Sequence, residues 1–420
     1  MDDSIKIMEK DFAHKKNCRI CKGSNLIKIL DLGETPLANF FLKKEDLDKK
    51  ELKFPLVVYF CEKCKLLQLL DIVNPEKLFR HYYYLTSTSK PLTDHFVELG
   101  KSIVNRFIKS KDDLVIDIGG NDGVLLNSIK NKCRVLNIEP AKNVAKISRE
   151  KSVDTKEEFF NKELAKRILK DYGSTKVITA SNVFAHIDNL EDVIAGVKIL
   201  IGDKGIFIIE VHWVANLLGL VDVGGFDQIY HEHLSYFSLL TLVQLFNQFD
   251  LKIFDVKLIP IHGQSLQVYV SKNREISESV NELIEQEKSL GLDKMETYLN
   301  FVKKVERNKS ELRNLLSKLK KENKKIIGYG ATAKGNTLLN YFQIDNKILD
   351  FIVDDSPLKQ GLYTPGTHIP IFSVNRLKED KPDYMLLLAW NYAESILNKE
   401  RSLRDEGVKF IIPVPEVKIL

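Results

Sequence analysis

Two kinds of segment alternate along most of the chain. Short apolar runs such as LVIDI at 114–118 and IIGY at 326–329 lead into glycine-containing turns, and amphipathic stretches follow. Such alternation predicts buried strands of a mostly parallel sheet, joined by helices. From about residue 275, roughly 50 residues instead repeat apolar positions amid dense charge, which predicts solvated helices that pack one face. The pattern therefore predicts an α/β protein with two strand–glycine turn–helix units.

The length of the chain allows for several domains, and we expect three regions. With 420 residues, 44% apolar and 29% charged, the chain is long enough for two or three domains, each with its own core. We expect a small cysteine-containing domain at 1–85, a first α/β core at 86–274, and the helices with a second α/β domain at 275–420.

The net charge and the apolar segments bear on nucleic-acid binding and on the location of the protein. The net charge of +5 is too mild to predict nucleic-acid binding, which usually needs a clustered basic face. The start, MDDSIKIMEKDF, lacks the apolar core of a signal peptide. The most apolar window, GIFIIEVHWVANLLGLVDVGG, is interrupted by Glu210, His212 and Asn216, so no membrane span is predicted. We therefore expect a cytoplasmic protein.

Four of the five cysteines form two CxxC pairs. Two residues between thiolates let both sulfurs face one ion, and two such pairs supply the closed tetrahedral set of a structural zinc. The predicted zinc ligands are Cys18, Cys21, Cys61 and Cys64. A redox role would need only one pair, and a catalytic zinc would need an open position. Cys133 stands alone and is expected to be an inert core thiol.

The first glycine turn reads DIGGNDG, and a second predicted strand ends in Glu139 about 20 residues later. The turn departs from the GxGxxG of dinucleotide folds, and Asp117 precedes the first glycine. This order resembles the class I S-adenosylmethionine methyltransferases, in which the glycine loop lies against the cofactor and the second acidic residue holds its ribose. By that resemblance the cofactor-binding residues are Asp117, Gly119, Asn121, Gly123, Glu139 and Asn182. NAD binding and a loop that merely packs are the alternatives.

A second loop, GYGATAKGN, follows the strand near residue 328. It differs from the Walker pattern, so binding of a diphosphate at a helix N-terminus without hydrolysis is the better prediction. The predicted substrate-binding residues are Tyr329, Gly330, Ala331, Lys334, Gly335 and Asn336, with Asn336 at the start of the helix. A role in packing alone is the alternative.

The stretch FDQIYHEHLSYFS places Tyr230, His231, Glu232 and His233 in a row. Metal binding is disfavoured, because H-E-H lacks the HExxH spacing that turns two histidines to one helix face. A structural polar loop and acid–base chemistry remain, and acid–base chemistry is preferred because imidazole titrates near neutral pH.

In this order, CRIC and CEKC, YYYLTSTS, DIGGNDG, NVFAHI, YHEHLSYFS and GYGATAKGNTLLN resemble the nucleotide-sugar C-methyltransferases, over essentially the whole chain. That family methylates carbon 3 of nucleotide-linked 4-keto-deoxysugars. The resemblance implies a class I methyltransferase core with a zinc module and a second Rossmann-like domain, S-adenosylmethionine and structural zinc as cofactors, and a nucleotide-diphosphate sugar as partner. An O-methyltransferase and a non-catalytic nucleotide-sugar-binding module are the alternatives.

The resemblance also implies roles for the polar residues. His233 is the expected base, Glu232 orients the active-site groups, and Tyr230 hydrogen-bonds the sugar or the developing oxyanion. His186, in NVFAHI, is the rival for base or electrophile. Tyr82 and Tyr84 match the tyrosine-rich approach to the sugar, with either of them as the residue that contacts it, and His231 is left without a role.

Overall fold

The computed structural model of the protein describes residues 12–80, 82, 84–221, 224–261 and 263–420. The chain forms two compact units. The first comprises the described part of Met1–Ile27 with Phe60–Val214 and Leu234–Asp293, and the second comprises Lys28–Tyr59, Ala215–His233 and Lys294–Leu420. Three elements carry the chain across a boundary of the units: strands Leu26–Pro36 and Lys53–Cys61, and the short helix Val214–Leu217.

The first unit is built on a seven-stranded sheet. From one edge to the other, its order is Lys252–Ile259, Ser265–Ser271, Ile206–His212, Val177–Ser181, Leu114–Ile118, Arg134–Ile138 and Thr155–Lys156. The last five strands are parallel, and Ser265–Ser271 is antiparallel to both of its neighbours. The order reverses at Leu114–Ile118, and ligands of open α/β sheets bind at the carboxyl end of such a strand.

Burial explains why the strands of this sheet are so apolar. All five residues of Leu114–Ile118 are buried, as expected for a parallel strand covered on both faces. Leu99 and Ile103 pack with Leu126 and Ile208 in the main apolar cluster. The α-helices of this unit are Pro75–Phe79, Lys90–Phe107, Val124–Ile129, Lys142–Glu150, Lys162–Tyr172, Leu190–Ile201, Leu239–Asn247 and Glu278–Ser289.

Short antiparallel strands complete the first unit. Phe12–His14 pairs with Asp71–Val73, and Leu67–Leu69 pairs with Ser235–Tyr236. The second of these pairings joins the chain beside the second cysteine pair to the chain that follows the histidine-rich stretch.

The second unit contains a six-stranded sheet. Its order is Ile371–Phe372, Ile352–Val353, Ile326–Tyr329, Tyr384–Leu387, Lys409–Ile412 and Lys418–Ile419, with the first five parallel and the last antiparallel. The order again reverses at the strand that precedes a glycine loop, here Ile326–Tyr329. The α-helices are Met295–Lys321, Ala333–Phe342, Ala393–Lys399 and Arg401–Asp405. The prediction of a second Rossmann-like unit is confirmed.

The charged helices predicted after residue 275 are also confirmed. Glu278–Ser289 and Met295–Lys321 are helical, and in the longer helix buried residues recur every three or four positions. They are Tyr298, Phe301, Val305, Asn308, Leu312, Leu316 and Leu319. Within the described residues, no helix combines the length and the apolarity that a membrane crossing requires.

Candidate functional site

The four cysteines of the CxxC pairs converge in the first unit. All four sulfurs lie within 4.8 Å of one another. The Sγ atoms are 3.4 Å apart for Cys18 and Cys64, and 3.4 Å apart for Cys21 and Cys61. Tetrahedral zinc with Zn–S bonds of about 2.3 Å sets neighbouring sulfurs about 3.8 Å apart, so the cluster fits this ion with little movement. Cys133 is buried elsewhere, with Sγ directed at the Ile129 carbonyl.

The two cysteine pairs have the same local geometry. The Lys22 amide donates to the Cys18 carbonyl and the Lys65 amide to the Cys61 carbonyl, at 3.1 and 2.8 Å. Both lysines adopt positive φ, 58° and 66°. Four thiolates leave zinc no open position, so this metal would hold the fold together rather than act on substrate.

Asp117 is on strand Leu114–Ile118, one residue before its carboxyl end. Its side chain is buried and accepts a hydrogen bond of 2.6 Å from the Thr179 hydroxyl. Burial raises the pKa of Asp117 to about 7, and the Thr179 hydrogen bond opposes the shift. Gly120 is required beside it, because a Cβ there would lie 2.6 Å from the Asp117 carboxylate.

The loop after strand Leu114–Ile118 contains three residues in the left-handed region of backbone conformation. Gly119, Asn121 and Gly123 have φ of 65°, 51° and 76°. A Cβ at Gly119 would lie 2.4 Å from Val183, so only glycine fits there without rearrangement. The loop therefore approaches its surroundings with bare backbone, as a cofactor-binding turn requires.

Glu139 follows the neighbouring strand and faces the same loop. Its carboxylate is buried and accepts from the amides of Asn121 and Ala141, at 3.0 and 2.8 Å. Burial raises the pKa of Glu139 to about 7, and these two hydrogen bonds oppose the shift. Each carboxylate oxygen can accept two hydrogen bonds, so each retains capacity for a ribose hydroxyl.

Asn182 comes directly after strand Val177–Ser181, with φ of 59°. Its backbone amide donates to the Glu210 carbonyl at 2.8 Å. Its side-chain oxygen is buried and has no hydrogen-bond partner among the described residues. A buried acceptor of this kind at the carboxyl end of a strand suits a ligand that donates hydrogen bonds.

The main chain of the segment that contains Tyr82 and Tyr84 is hydrogen-bonded to side chains of the first unit. The Tyr82 amide and carbonyl bond to the Asn143 side chain at 3.1 and 2.8 Å. The Asn121 side chain donates to the Tyr84 carbonyl and accepts from the Thr86 amide. The Tyr84 side chain is exposed. The glycine loop after strand Leu114–Ile118 therefore fixes the backbone at Tyr84.

His186 ends the 3-10 turn Phe184–His186, five residues after strand Val177–Ser181 ends. Its ring stacks on Phe79, with centroids 5.4 Å apart and planes 8° from parallel. Burial lowers the pKa of His186 to about 4. The imidazole is therefore neutral at pH 7, which makes it a weak base there.

In the second unit, His233 is buried and held at both ring nitrogens. Nδ1 lies 2.7 Å from the Gln228 carbonyl, and Nε2 lies 2.8 Å from the Tyr230 hydroxyl. A carbonyl only accepts, so Nδ1 carries the hydrogen, and in the neutral imidazole the Nε2 lone pair then faces the phenol. In this tautomer Nε2 is the nitrogen that can accept a proton.

The two neighbours of His233 in the chain have other partners. Glu232 is buried and accepts a hydrogen bond of 2.6 Å from the Asn39 amide. His231 is also buried, with Nε2 3.2 Å from the Phe54 carbonyl and its ring edge-on to the Phe54 ring. Burial lowers the pKa of His231 to about 4. His231 and His233 thus face different carbonyls, and in the described chain the cysteines alone form a convergent metal-ligand set.

Lys334 is the distinctive residue of the second glycine loop. Its Nζ is buried, has no hydrogen-bond partner among the described residues, and lies 5.6 Å from the Trp390 ring. Burial lowers the pKa of Lys334, and the carboxylate of Asp227 opposes this. The Asp227 carboxylate itself accepts from Trp390 Nε1 at 2.5 Å. An anionic ligand would compensate the buried ammonium.

Other predicted residues of this loop are occupied within the protein. The helix begins at Ala333 and Thr332 is its N-cap, so the expectation that Asn336 starts the helix is wrong. Thr332 takes that role because its hydroxyl accepts from the Gly335 amide, which places Asn336 inside the helix. The Asn336 side chain is buried and donates to the Ala38 carbonyl.

The start of the loop is also engaged internally. The Tyr329 hydroxyl donates to Glu400, and the Ala331 amide donates to Asp354 at 2.7 Å. Gly330 has φ of 90° and its α-carbon packs against Ala389. The first amides of the helix, at Ala333 and Lys334, are those that intrahelical bonding leaves available.

Several residues of these clusters carry no signal in the sequence that identifies a role. They are Arg19, Asn39, Gln68, Asp227, Lys359 and Trp390. Asp227 belongs to the stretch FDQIYHEHLSYFS, but an aspartate there does not by itself indicate a bond to Trp390. The others are joined to their partners by contacts that are distant in sequence.

Family models match three parts of the chain: a candidate zinc-binding domain at 18–79, a methyltransferase domain at 94–256 and a C-methyltransferase C-terminal domain at 260–415. C-methyltransferase NovU of Streptomyces niveus is 34% identical over 407 residues, which are 96% of this chain and 96% of that protein.

Solved methyltransferases resemble this chain more weakly. A SAM-dependent methyltransferase of Anabaena variabilis is 14% identical, with a TM-score of 0.32, over 43% of this chain and 95% of that chain. Magnesium protoporphyrin IX methyltransferase of Synechocystis, with bound SAM, is 11% identical, with a TM-score of 0.31, over 44% of this chain and 79% of that chain. The assignment depends on the full-length relative and the three family models: the chain belongs to the C-methyltransferase family and is an S-adenosylmethionine-dependent enzyme with a zinc-binding domain.

Proposed function

We propose that this enzyme transfers the methyl group of S-adenosylmethionine to carbon 3 of a nucleotide-linked 4-keto-deoxysugar. The observation that carries the proposal is the state of His233, whose Nδ1–H is fixed by the Gln228 carbonyl and whose Nε2 lone pair faces the Tyr230 hydroxyl. Methylation at carbon needs a carbanion, and a hydrogen next to a ketone is acidic enough for an imidazole to remove.

In the first step His233 Nε2 takes the proton from carbon 3, and the electron pair of the C–H bond delocalises onto the ketone oxygen. Tyr230 acts before and during this step. In the substrate-free protein its hydroxyl donates to the single Nε2 lone pair, at 2.8 Å, so the phenol would turn from Nε2 to the ketone oxygen when the sugar binds. The freed lone pair then takes the carbon 3 proton, and the phenol donates to the oxyanion.

The second step forms the new carbon–carbon bond. The cofactor supplies a sulfonium methyl group, which the carbon 3 carbanion takes while the electrons of the broken S–CH₃ bond stay on sulfur. Asp117, Asn182 and Glu139 would hold the cofactor, through carboxylates and an amide oxygen that suit its ammonium and hydroxyl groups. His186, with a pKa of about 4, would act as a neutral hydrogen-bonding group rather than as the base.

A nucleotide diphosphate is the anion that the second glycine loop is proposed to bind. Lys334 brings a buried ammonium, and the helix that starts at Ala333 adds amides and the positive end of its dipole. Glu232, held by Asn39, would orient the polar groups around the sugar.

The decisive experiment is a mass-spectrometric screen of nucleotide-linked 4-keto and 4-hydroxy sugars for the gain of one methyl. The proposal expects methylation of 4-keto sugars, with the new methyl on carbon. If only 4-hydroxy sugars gain a methyl, the enzyme is an O-methyltransferase. If calorimetry finds that neither S-adenosylmethionine nor S-adenosylhomocysteine binds, a non-catalytic binding module is the better description.

The base is tested by exchange of the carbon 3 hydrogen with deuterated solvent. His233→Ala should leave S-adenosylhomocysteine affinity within about twofold and slow the exchange by about 100-fold or more. The matched control is His14→Ala, which removes a histidine with 46% side-chain exposure and should exchange normally. Unchanged exchange in His233→Ala would transfer the base role to His186.

A further inference from the structure

Arg19 stands between the first two zinc ligands in the chain, yet its side chain is directed into the protein and only 3% of the residue is exposed. Its guanidinium donates to Asp188 at 3.2 Å, to the Leu234 carbonyl at 2.9 Å and to the Leu69 carbonyl at 3.0 Å. A fourth bond goes to Gln68 at 3.3 Å. Four of the five N–H groups of this arginine are therefore engaged.

These partners lie next to the two candidate bases. Asp188 comes two residues after His186, and Leu234 comes directly after His233. The Leu234 amide donates to the Ala185 carbonyl at 2.9 Å, and the Leu234 carbonyl also accepts from the Leu69 amide. Arg19 thus completes a closed set of hydrogen bonds that fixes the chain immediately beside each candidate histidine.

Gln68 connects the same arginine to the cysteine cluster. Gln68 is fully buried, and its Nε2 donates to Cys18 Sγ at 3.2 Å. Its Oε1 accepts from the backbone amide of Arg19 at 3.0 Å as well as from the guanidinium. Groups that hydrogen-bond metal ligands orient those ligands, and here the same group also orients Arg19.

We propose that Arg19 is a positioning residue for methyl transfer: the zinc cluster orders Arg19 through Gln68, and Arg19 holds the backbone at Leu234 and Asp188 from which the chain reaches His233 and His186. The proposal rests on the proposed function for the roles of these histidines. Lysine cannot substitute, because one ammonium lacks the planar fork that reaches a carboxylate and two carbonyls together.

The test compares Arg19→Lys with Lys15→Met in the full-length protein. Lys15 is the matched control, since its Nζ also pairs with Asp188, at 2.7 Å, but its side chain is partly exposed. Four measurements are made: zinc per chain, the Kd of S-adenosylhomocysteine, steady-state kinetics (kcat and KM) with the 4-keto sugar that the enzyme methylates, and amide hydrogen exchange of 185–188 and 234 without substrate.

The expected result is a selective loss of turnover. Arg19→Lys should keep its zinc and bind S-adenosylhomocysteine within about twofold of wild type, while kcat falls about 10- to 100-fold through misplacement of reacting groups. Exchange at Ala185–Asp188 and Leu234 should become faster, whereas Lys15→Met should match wild type in all four measurements. Wild-type kcat and wild-type exchange in Arg19→Lys would overturn the proposal.

A second variant covers the case in which Arg19→Lys loses zinc or fails to fold. Asp188→Asn lies outside the cysteine cluster and removes the charge that faces both Arg19 and Lys15, and Lys15→Met shows how much of its effect is due to Lys15. It should lower kcat and speed exchange at 234 with zinc retained, and normal values of both would overturn the proposal. If wild type methylates no 4-keto sugar, the proposed function fails, but the substrate-free exchange measurement still decides whether Arg19 holds these segments.

Discussion

The affinity for the cofactor should rise steeply with pH, because burial raises the pKa of both Asp117 and Glu139 to about 7. Hydroxyl and ammonium groups of S-adenosylmethionine donate to carboxylates, so the ionised forms are the ones that bind. At pH 6 a carboxyl with a pKa near 7 is ionised in about one molecule in eleven, which weakens apparent binding about tenfold. The dependence should level off above pH 8.

The perturbation is Glu139→Gln, which does not titrate and keeps one carbonyl oxygen for the amide of either Asn121 or Ala141, while its NH2 group replaces the other acceptor. Calorimetry with S-adenosylhomocysteine at pH 6, 7 and 8 measures the effect. Wild type should bind about 10- to 100-fold more tightly at pH 8 than at pH 6, depending on whether one or both carboxylates must be ionised. Glu139→Gln should remove about tenfold of that change, and Glu150→Gln, at an exposed carboxylate on a nearby helix, should remove none.

Stability without ligand should show the opposite sign. The folded pKa of Glu139 lies above its unfolded value, so its contribution to stability is fully present below about pH 4.5 and is lost as pH rises through about 7. That loss amounts to roughly 3 kcal/mol for this one group.

The binding experiment has a clear negative outcome. Identical pH dependence of S-adenosylhomocysteine binding in wild type and Glu139→Gln would refute the reasoning, since the Glu139 carboxyl would then not be the titrating group.

Other expectations concern the metal, the diphosphate and a buried acid. Cys61→Ser should bind less than one zinc per chain by elemental analysis and melt at a lower temperature, because metal binding to such sites is part of the folding free energy; normal melting with no zinc in either protein would contradict this. Lys334→Met should raise KM for the nucleotide sugar about 10- to 100-fold and leave the Kd of S-adenosylhomocysteine unchanged, since it removes one charge-assisted contact; an unchanged KM would count against the diphosphate site. Glu287→Ala should lower the free energy of unfolding by about 3 kcal/mol or more in denaturant titrations, because Trp213 Nε1 and two helix amides lose their shared acceptor; a loss below about 1 kcal/mol would mean that water replaces it.

The parts of the site that are local in the chain could be predicted from the sequence. Two residues between cysteines fix a metal-binding turn, and the strand followed by DIGGNDG fixes a loop with positive φ at Gly119 and Gly123. The helix start in the second loop could also have been found, because a threonine three residues before Gly335 is a recognised N-cap signal. The error came from placing the start of the helix at Asn336.

The partners of the candidate catalytic groups could not be predicted in the same way. Asn39 bonds to Glu232 across 193 residues of sequence, and Arg19 bonds to Leu234 across 215. Hydrophobic periodicity reports which face of an element is buried, but not which distant segment covers it. The tautomer of His233 likewise depends on the backbone of Gln228, whose orientation no residue type specifies.

The two glycine loops have similar backbones but differ in the charged side chains beside them, and this difference bears on which ligand each loop would bind. Both follow a strand at which the sheet order reverses, and both lead into a helix, at Val124 and at Ala333. The first loop is bordered by the buried carboxylates of Asp117 and Glu139, whereas the second holds the buried ammonium of Lys334. A buried charge is stable only when it is compensated, and the Asp227 carboxylate compensates Lys334 without a hydrogen bond to its Nζ among the described residues. We therefore expect the first loop to favour a ligand with cationic and hydroxyl groups and the second to favour an anion. Under the proposed function, the same fold element takes a sulfonium cofactor in one unit and a diphosphate in the other, and the sign of one or two side chains makes the difference.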